Sequence, residues 1–159
     1  MQLMKVSGIG IDPKTNMPVV LLKDIDNTQL LPIWIGMFEA NAIAMEVEKT
    51  SSPRPFTHDL IKNILNTTHI LCEKVIISEI KDTIYYAKII LKFGNNLFEI
   101  DSRPSDAIAI ALKLNAPIYV EEEVLKTAVE IIKPLDEQEA KKLKNILKTI
   151  KPEDFANNG

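Results

Sequence analysis

Hydrophobic and polar positions along the chain follow two different periods, and the switch between them divides it into elements. Leu3 to Ile11 and Val19 to Ile25 are short runs of β-branched and aliphatic residues separated by the turn-forming Asp12-Pro13-Lys14-Thr15-Asn16, which predicts two strands. Gln29 to Ile35 keeps the β character, and Pro32, which has no N–H for a ladder, puts this strand at an edge or bulge. Together they read as a meander. Lys74 to Lys81 and Tyr85 to Phe93 form a second one, with Asp82-Thr83-Ile84 as a tight connection and Gly94-Asn95-Asn96 leading into Leu97 to Arg103. In that last strand the period of two puts Glu99, Asp101 and Arg103 on one face and Phe98, Ile100 and Ser102 on the other. Pro117 to Val120 adds a short strand.

Between the meanders the pattern is helical. Gly36 to Lys49 carries alanines and an almost wholly apolar surface, broken by a stripe of Glu39 and Glu46, which lie about 10.5 Å apart along one face. Thr50 to Phe56 is a short stiff loop in which Arg54 is held between two prolines. Thr57 is the expected N-cap of a helix running to about Thr68, with Leu60, Ile61, Ile64 and Leu65 as its core face and His58 and Asp59 in its first turn. Pro104 suits the first position of the next helix, to Leu114, which is apolar on nearly all sides apart from a stripe of Asp106 and Lys113. Glu121 to Glu130 and Leu135 to Ile150 read as further helices. The expected fold is a single α+β domain over residues 1–132, a mixed and mostly antiparallel sheet built from two meanders with packed helices. An amphipathic helix and tail follow over 133–159. The helices from Gly36 and from Pro104 carry more apolar surface than a monomer of this size should bury, which predicts a homodimer.

Composition narrows the function classes. With 159 residues, 46% of them hydrophobic and 26% charged, the chain can bury a core without disulfides or metals, and disorder is excluded. One cysteine, Cys72, and two histidines cannot build a structural zinc site. No segment has the length of a membrane span or the layout of a signal peptide, so a cytoplasmic protein away from membranes is expected. Nineteen basic residues against twenty-two acidic ones leave a net charge of −3, so any contact with phosphate must be local.

Polar residues concentrate at element junctions: Glu39 and Glu46, Arg54, His58 and Asp59, then Asp101, Arg103, Ser105 and Asp106. Taken singly they have a structural explanation, since Asp59 and Asp106 sit in first helical turns where the dipole favours a carboxylate, and Arg54 and Arg103 can neutralise them. Taken together they suit phosphodiester chemistry. Two arginines can hold a phosphate bidentately while paired carboxylates carry a divalent cation that activates water. No HExxH, Walker A loop, GxSxG or paired CxxC accompanies them.

Four strings give this cluster a context: Leu31-Pro32-Ile33-Trp34-Ile35-Gly36 with Glu39-Ala40, Pro53-Arg54-Pro55 with Thr57-His58-Asp59-Leu60, Asp101-Ser102-Arg103-Pro104-Ser105-Asp106-Ala107-Ile108-Ala109, and Pro117-Ile118-Tyr119-Val120. In this order they resemble the bifunctional nuclease domain family over roughly residues 2 to 130. The resemblance implies an α+β domain with a mixed sheet, a homodimer, and degradation of both RNA and DNA. The resulting expectation is a nuclease of low sequence specificity that depends on Mg²⁺ or Mn²⁺. Arg54, Arg103 and Ser105 are the candidates for binding substrate, and Glu39, Asp101 and Asp106 for the metal. His58, Asp59, Asp101 and Asp106 are the candidate catalytic groups, with His58 or Asp59 as general base. The alternative is a non-enzymatic homodimeric ligand-binding or regulatory module, in which the same cluster is a structural ion-pair network.

Overall fold

The computed structural model describes residues 1–26 and 28–132. The first meander is β1 (Gln2–Ile11), β2 (Pro18–Asp24) and β3 (Leu30–Trp34), and the second is β4 (Leu71–Lys81), β5 (Ile84–Phe93) and β6 (Asn96–Ser102). They are joined by β7 (Ile118–Val120), which pairs antiparallel with β1 and parallel with β4, giving one sheet in the order β3-β2-β1-β7-β4-β5-β6. The architecture is thus α+β with a mixed, mostly antiparallel sheet, as the hydrophobic pattern predicts. Pro32 lies in β3, an edge strand, where its missing N–H costs no ladder bond. β4 starts three residues before the predicted Lys74, because a register shift between Cys72 and Lys74 lets Leu71 and Cys72 pair with β5. A second shift between Ile77 and Glu79 adds to the bending of this strand. The sheet curves until Tyr85, at the start of β5, donates its hydroxyl to the Pro32 carbonyl of β3 at 3.3 Å. Two strands far apart in the sheet order therefore meet at one corner.

Four helices complete the described chain: α1 (Met37–Val47), α2 (Thr57–Thr67), α3 (Pro104–Leu114) and α4 (Glu122–Ile132). No helix among the described residues is long and apolar enough to cross a membrane. α3 is the central one, packed against α1, α2, β4 and β5. Its Ala107, Ile108, Ala109, Ile110 and Ala111 are buried, and three alanines in this run let neighbouring backbones approach. Asn115 ends it in the left-handed region, φ 54°, a conformation asparagine tolerates at a helix C-terminus.

Two expectations about helices are corrected. Phe56, not Thr57, is the N-cap of α2, and the turn is closed from within when the Phe56 N–H donates to Asp59 Oδ2 at 2.9 Å. Only Leu65 of the predicted α2 core face is buried and Ile61 partly so, while Leu60 and Ile64 are exposed, because α2 rests on α3 and β4 along a narrow stripe. The argument for excess apolar surface also changes. α3 buries its surface inside one chain, whereas α1 leaves Phe38 and Val47 exposed, and further uncovered apolar positions lie on α2 and β6, including Leu60, Ile64, Leu97, Phe98 and Ile100. The predicted helix from Leu135 to Ile150 lies outside the described residues.

Asp82 and Thr83 form a two-residue hairpin turn with φ of 47° and 69°, the doubly left-handed geometry that matches strand twist. A β-branched residue holds such a φ at a cost that glycine avoids. Thr83→Gly is therefore expected to stabilise the fold by about 1 kcal/mol, raising the thermal midpoint by about 2–4 °C. Calorimetry checks this, and an unchanged or lower midpoint would refute it.

Candidate active site

The polar stripe of α3 faces the polar stripe of α1. In both helices the stripe residues are seven positions apart, so their side chains meet in two layers about 10.5 Å apart along the seam. α2 contributes one residue to each layer.

The inner layer is closed. Lys113 Nζ lies 2.5 Å from Glu46 Oε1 and 2.6 Å from Asp59 Oδ1, with its side chain only 7% exposed. Burial alone would lower the Lys113 pKa, but the hydrogen bonds to Asp59 and Glu46 lift it above the usual lysine value. In return, the hydrogen bond from Lys113 holds the Asp59 carboxyl below the usual range against the effect of burial. This ion triad ties α1, α2 and α3 together. Asp59, a candidate general base by sequence, is thus engaged by Lys113 and by the Phe56 N–H.

The outer layer opens on solvent. Arg103, the N-cap of α3, donates from Nε to Asp106 Oδ2 at 2.7 Å and pairs through Nη1 with Glu39 Oε1 at 2.8 Å. His58 Nε2 lies 2.9 Å from Asp106 Oδ1. Burial works to raise the Asp106 pKa, yet Arg103 and His58 together hold it below the ordinary carboxylate range. Asp106 is therefore an acceptor, so His58 Nε2–H is the donor. The Glu39 carboxylate folds back over Gly36, where a Cβ would collide with it. These four side chains line a cleft of about 400 Å³ together with Phe38, Asn41, Ala42, Phe56 and Thr57.

Arg103 also borders a second cleft, of about 280 Å³, whose walls include Trp34, Tyr85, Pro104 and Ser105. It forms at the corner where β3 and β5 meet. Trp34 is fixed there by its Nε1–H, which donates to Asp12 Oδ2 at 2.9 Å.

Of the residues predicted from sequence, Glu39, His58, Arg103 and Asp106 converge on one cleft, and Ser105 lines the other. Asp101 stands opposite Lys88 across the β5–β6 ladder, and its side chain makes no hydrogen bond among the described residues. Arg54 is exposed, with no ion pair among the described residues, and lines neither cleft. No three His, Cys, Asp or Glu side chains among the described residues gather closely enough to hold a metal ion by themselves. Cys72 is buried, which pushes its thiol up to about 11 and leaves it inert at neutral pH. Sequence reasoning passes over Phe38 and Phe56 at the cleft rim. A large aromatic at the start of an otherwise small-residue helix was the available signal.

The inner triad makes a pH prediction. Asp59 has a depressed pKa in the folded state, so its contribution is present above the unfolded carboxylate value and is lost as pH falls through the folded one. Stability of the parent should decline below about pH 4, and Asp59→Asn should flatten that decline in urea-unfolding midpoints. Lys113→Met, which strands two carboxylates, is expected to cost about 3–5 kcal/mol at neutral pH. A loss under about 1 kcal/mol would show that the triad contributes no more than surface ion pairs do.

The bifunctional nuclease domain matches residues 20–133. An uncharacterised protein of Mycobacterium tuberculosis is 38% identical over 160 aligned residues, covering 95% of this chain and 96% of its own length. Bifunctional nuclease 1 of Oryza sativa subsp. japonica is 26% identical over 120 residues, 73% of this chain but 36% of the rice protein. Bifunctional nuclease of Oryza minuta matches to the same extent. On the extent of the domain match and on its similarity to the mycobacterial protein, the chain belongs to the bifunctional nuclease domain family.

Proposed function

We propose that this protein is a nuclease that hydrolyses phosphodiester bonds in RNA and DNA with little sequence preference, at the cleft of Glu39, His58, Arg103 and Asp106. The observation that carries this reading is Arg103: it is held by two carboxylates, yet its side chain is 66% exposed and borders both clefts. A guanidinium fixed in this way keeps unused N–H donors for a phosphate. Beside it, His58 Nδ1 is free to take a proton from an attacking water, with Asp106 fixing the ring and stabilising the charge that develops. The local charge bears on the metal. Glu39 and Asp106 outweigh Arg103 by one negative charge, so a polyanion entering this cleft gains from a cation. Mg²⁺ is commonly held by one or two carboxylates plus substrate phosphate oxygens, and Glu39 with Asp106 fits that mode. Either Mg²⁺ or Mn²⁺ would supply Lewis-acid polarisation of the phosphate there.

The test is cleavage of single-stranded RNA and DNA at low salt with and without Mg²⁺ or Mn²⁺. Arg103→Ala, His58→Ala and Asp106→Asn are each expected to cut the rate by about 100-fold or more, and Asp101→Asn and Arg54→Ala by only a few-fold. An inactive parent, freed of contaminating nucleases, would favour the non-enzymatic module, in which the internally satisfied Glu39–Arg103–Asp106–His58 network is purely structural.

The proposal includes a homodimer. Phe98 and Ile100 stand opposite Leu91 and Ile89 on the core side of the sheet, but at the open edge they stay nearly half exposed. An edge strand with such a face is a ready surface for a second copy. Ile100→Glu is expected to convert a dimer into a monomer in light scattering. A parent that is monomeric at micromolar concentration would refute this part.

A further inference from the structure

We infer that Phe38 and Phe56 form a stacking subsite for an unpaired base of the strand whose phosphate lies on Arg103. The inference rests on the nuclease reading above and specifies the form of its substrate. Phe38, in the first turn of α1, is 83% exposed, and Phe56, the N-cap of α2, is 48% exposed. Rings left in water to this extent forgo the stabilisation that burial would bring, so a covering partner has something to gain. Both rings line the cleft that holds His58 and Arg103.

Their backbones are fixed. Phe38 is held by the α1 helix, and Phe56 by Pro55 on one side and its N–H bond to Asp59 on the other. An aromatic side chain on a fixed backbone has two torsions to order, so a base stacks on it with little entropic loss. An aromatic platform beside a cation that tracks the backbone is the arrangement by which single strands are bound without sequence readout, because every base has a π-face. A duplex can bring a phosphate to Arg103, but its bases stay inside their own stack unless that stack is broken. The site therefore selects single strands and is indifferent to the base it stacks.

The experiment is fluorescence anisotropy with labelled octathymidylate, the same backbone carrying abasic units, and a hairpin duplex. It is run with Mg²⁺ in a His58→Ala background so that binding is read without cleavage. Phe38→Ala and Phe56→Ala should each weaken binding of the thymidylate strand by about fivefold to a hundredfold, leave the abasic strand and the duplex unchanged, and be rescued at position 38 by Phe38→Trp. Both residues are exposed, so thermal midpoints should not move. If the alanine variants bind the thymidylate strand as the parent does while Arg103→Ala weakens it, the stacking inference fails and the nuclease reading stands. If Arg103→Ala also leaves binding unchanged, the nuclease reading itself fails. If Phe38→Ala instead halves the particle mass in light scattering with binding unchanged, the rings belong to an interface between copies and the inference is overturned.

Discussion

A hydrophobic helix with one polar stripe organises this molecule. α3 is enclosed by α1, α2 and the sheet, so the two charged side chains on its seam, Asp106 and Lys113, are largely withdrawn from bulk water. Charges in such a position must be paired, and both flanking helices supply partners at matching heights. At the inner height the pairing is complete, with Lys113 between two carboxylates. At the outer height the seam reaches the molecular surface, and the pairing there leaves Arg103 exposed at a cleft that His58 also lines. The same constraint thus yields a closed ion triad at one height and a network bordering an open cleft at the other.

The position of the site follows from the sheet. β7 has three residues, yet it bridges β1 and β4 and so converts two independent meanders into one surface. Register shifts in β4 bend that surface until the Tyr85 hydroxyl reaches the Pro32 carbonyl. The end of β6 delivers Arg103 and Pro104 to this corner, where α3 begins and where α1 and α2 also present their first turns. Three helix starts at one place favour negative charge there, which is compatible with Glu39, Asp59 and Asp106 and with an incoming phosphate.

Period and punctuation made most of the elements legible. Alternation and turn residues located both meanders, Pro32 marked the edge strand, and Pro104 marked the start of α3. The paired stripes were visible too, since Glu39 with Glu46 and Asp106 with Lys113 are the polar breaks in two apolar helices. What the sequence could not show was which stripe meets which, because that depends on crossing geometry set by the bent sheet. Hence Asp59 looked as available as His58, although the step of about 100° between successive helical residues sends it to Lys113. Asp101 and Arg103 share a strand face and looked equivalent as well. Only Arg103 stands where the strand ends and the helix begins, and Asp101 stays on the ladder opposite Lys88. α2 misled for a related reason: its apolar stripe is wider than the surface it rests on, and periodicity cannot tell a core face from a face left open.

The double hold on Arg103 sets the character of the site. Two carboxylates fix the guanidinium before any ligand arrives, so little side-chain entropy is lost on binding, which favours a well-oriented transition state. They also more than cancel its charge, so the unassisted cluster does not attract a polyanion, and the net charge of −3 adds nothing in its favour. Geometry is thereby favoured over affinity. An acidic protein that is to act on nucleic acid in this way needs affinity from another source, and the cleft offers two. On the nuclease reading one would be a cation shared between Glu39, Asp106 and the phosphate, and the other is the pair of exposed rings on its rim. Discrimination on that reading then falls on whether the strand can present a phosphate and a free base together.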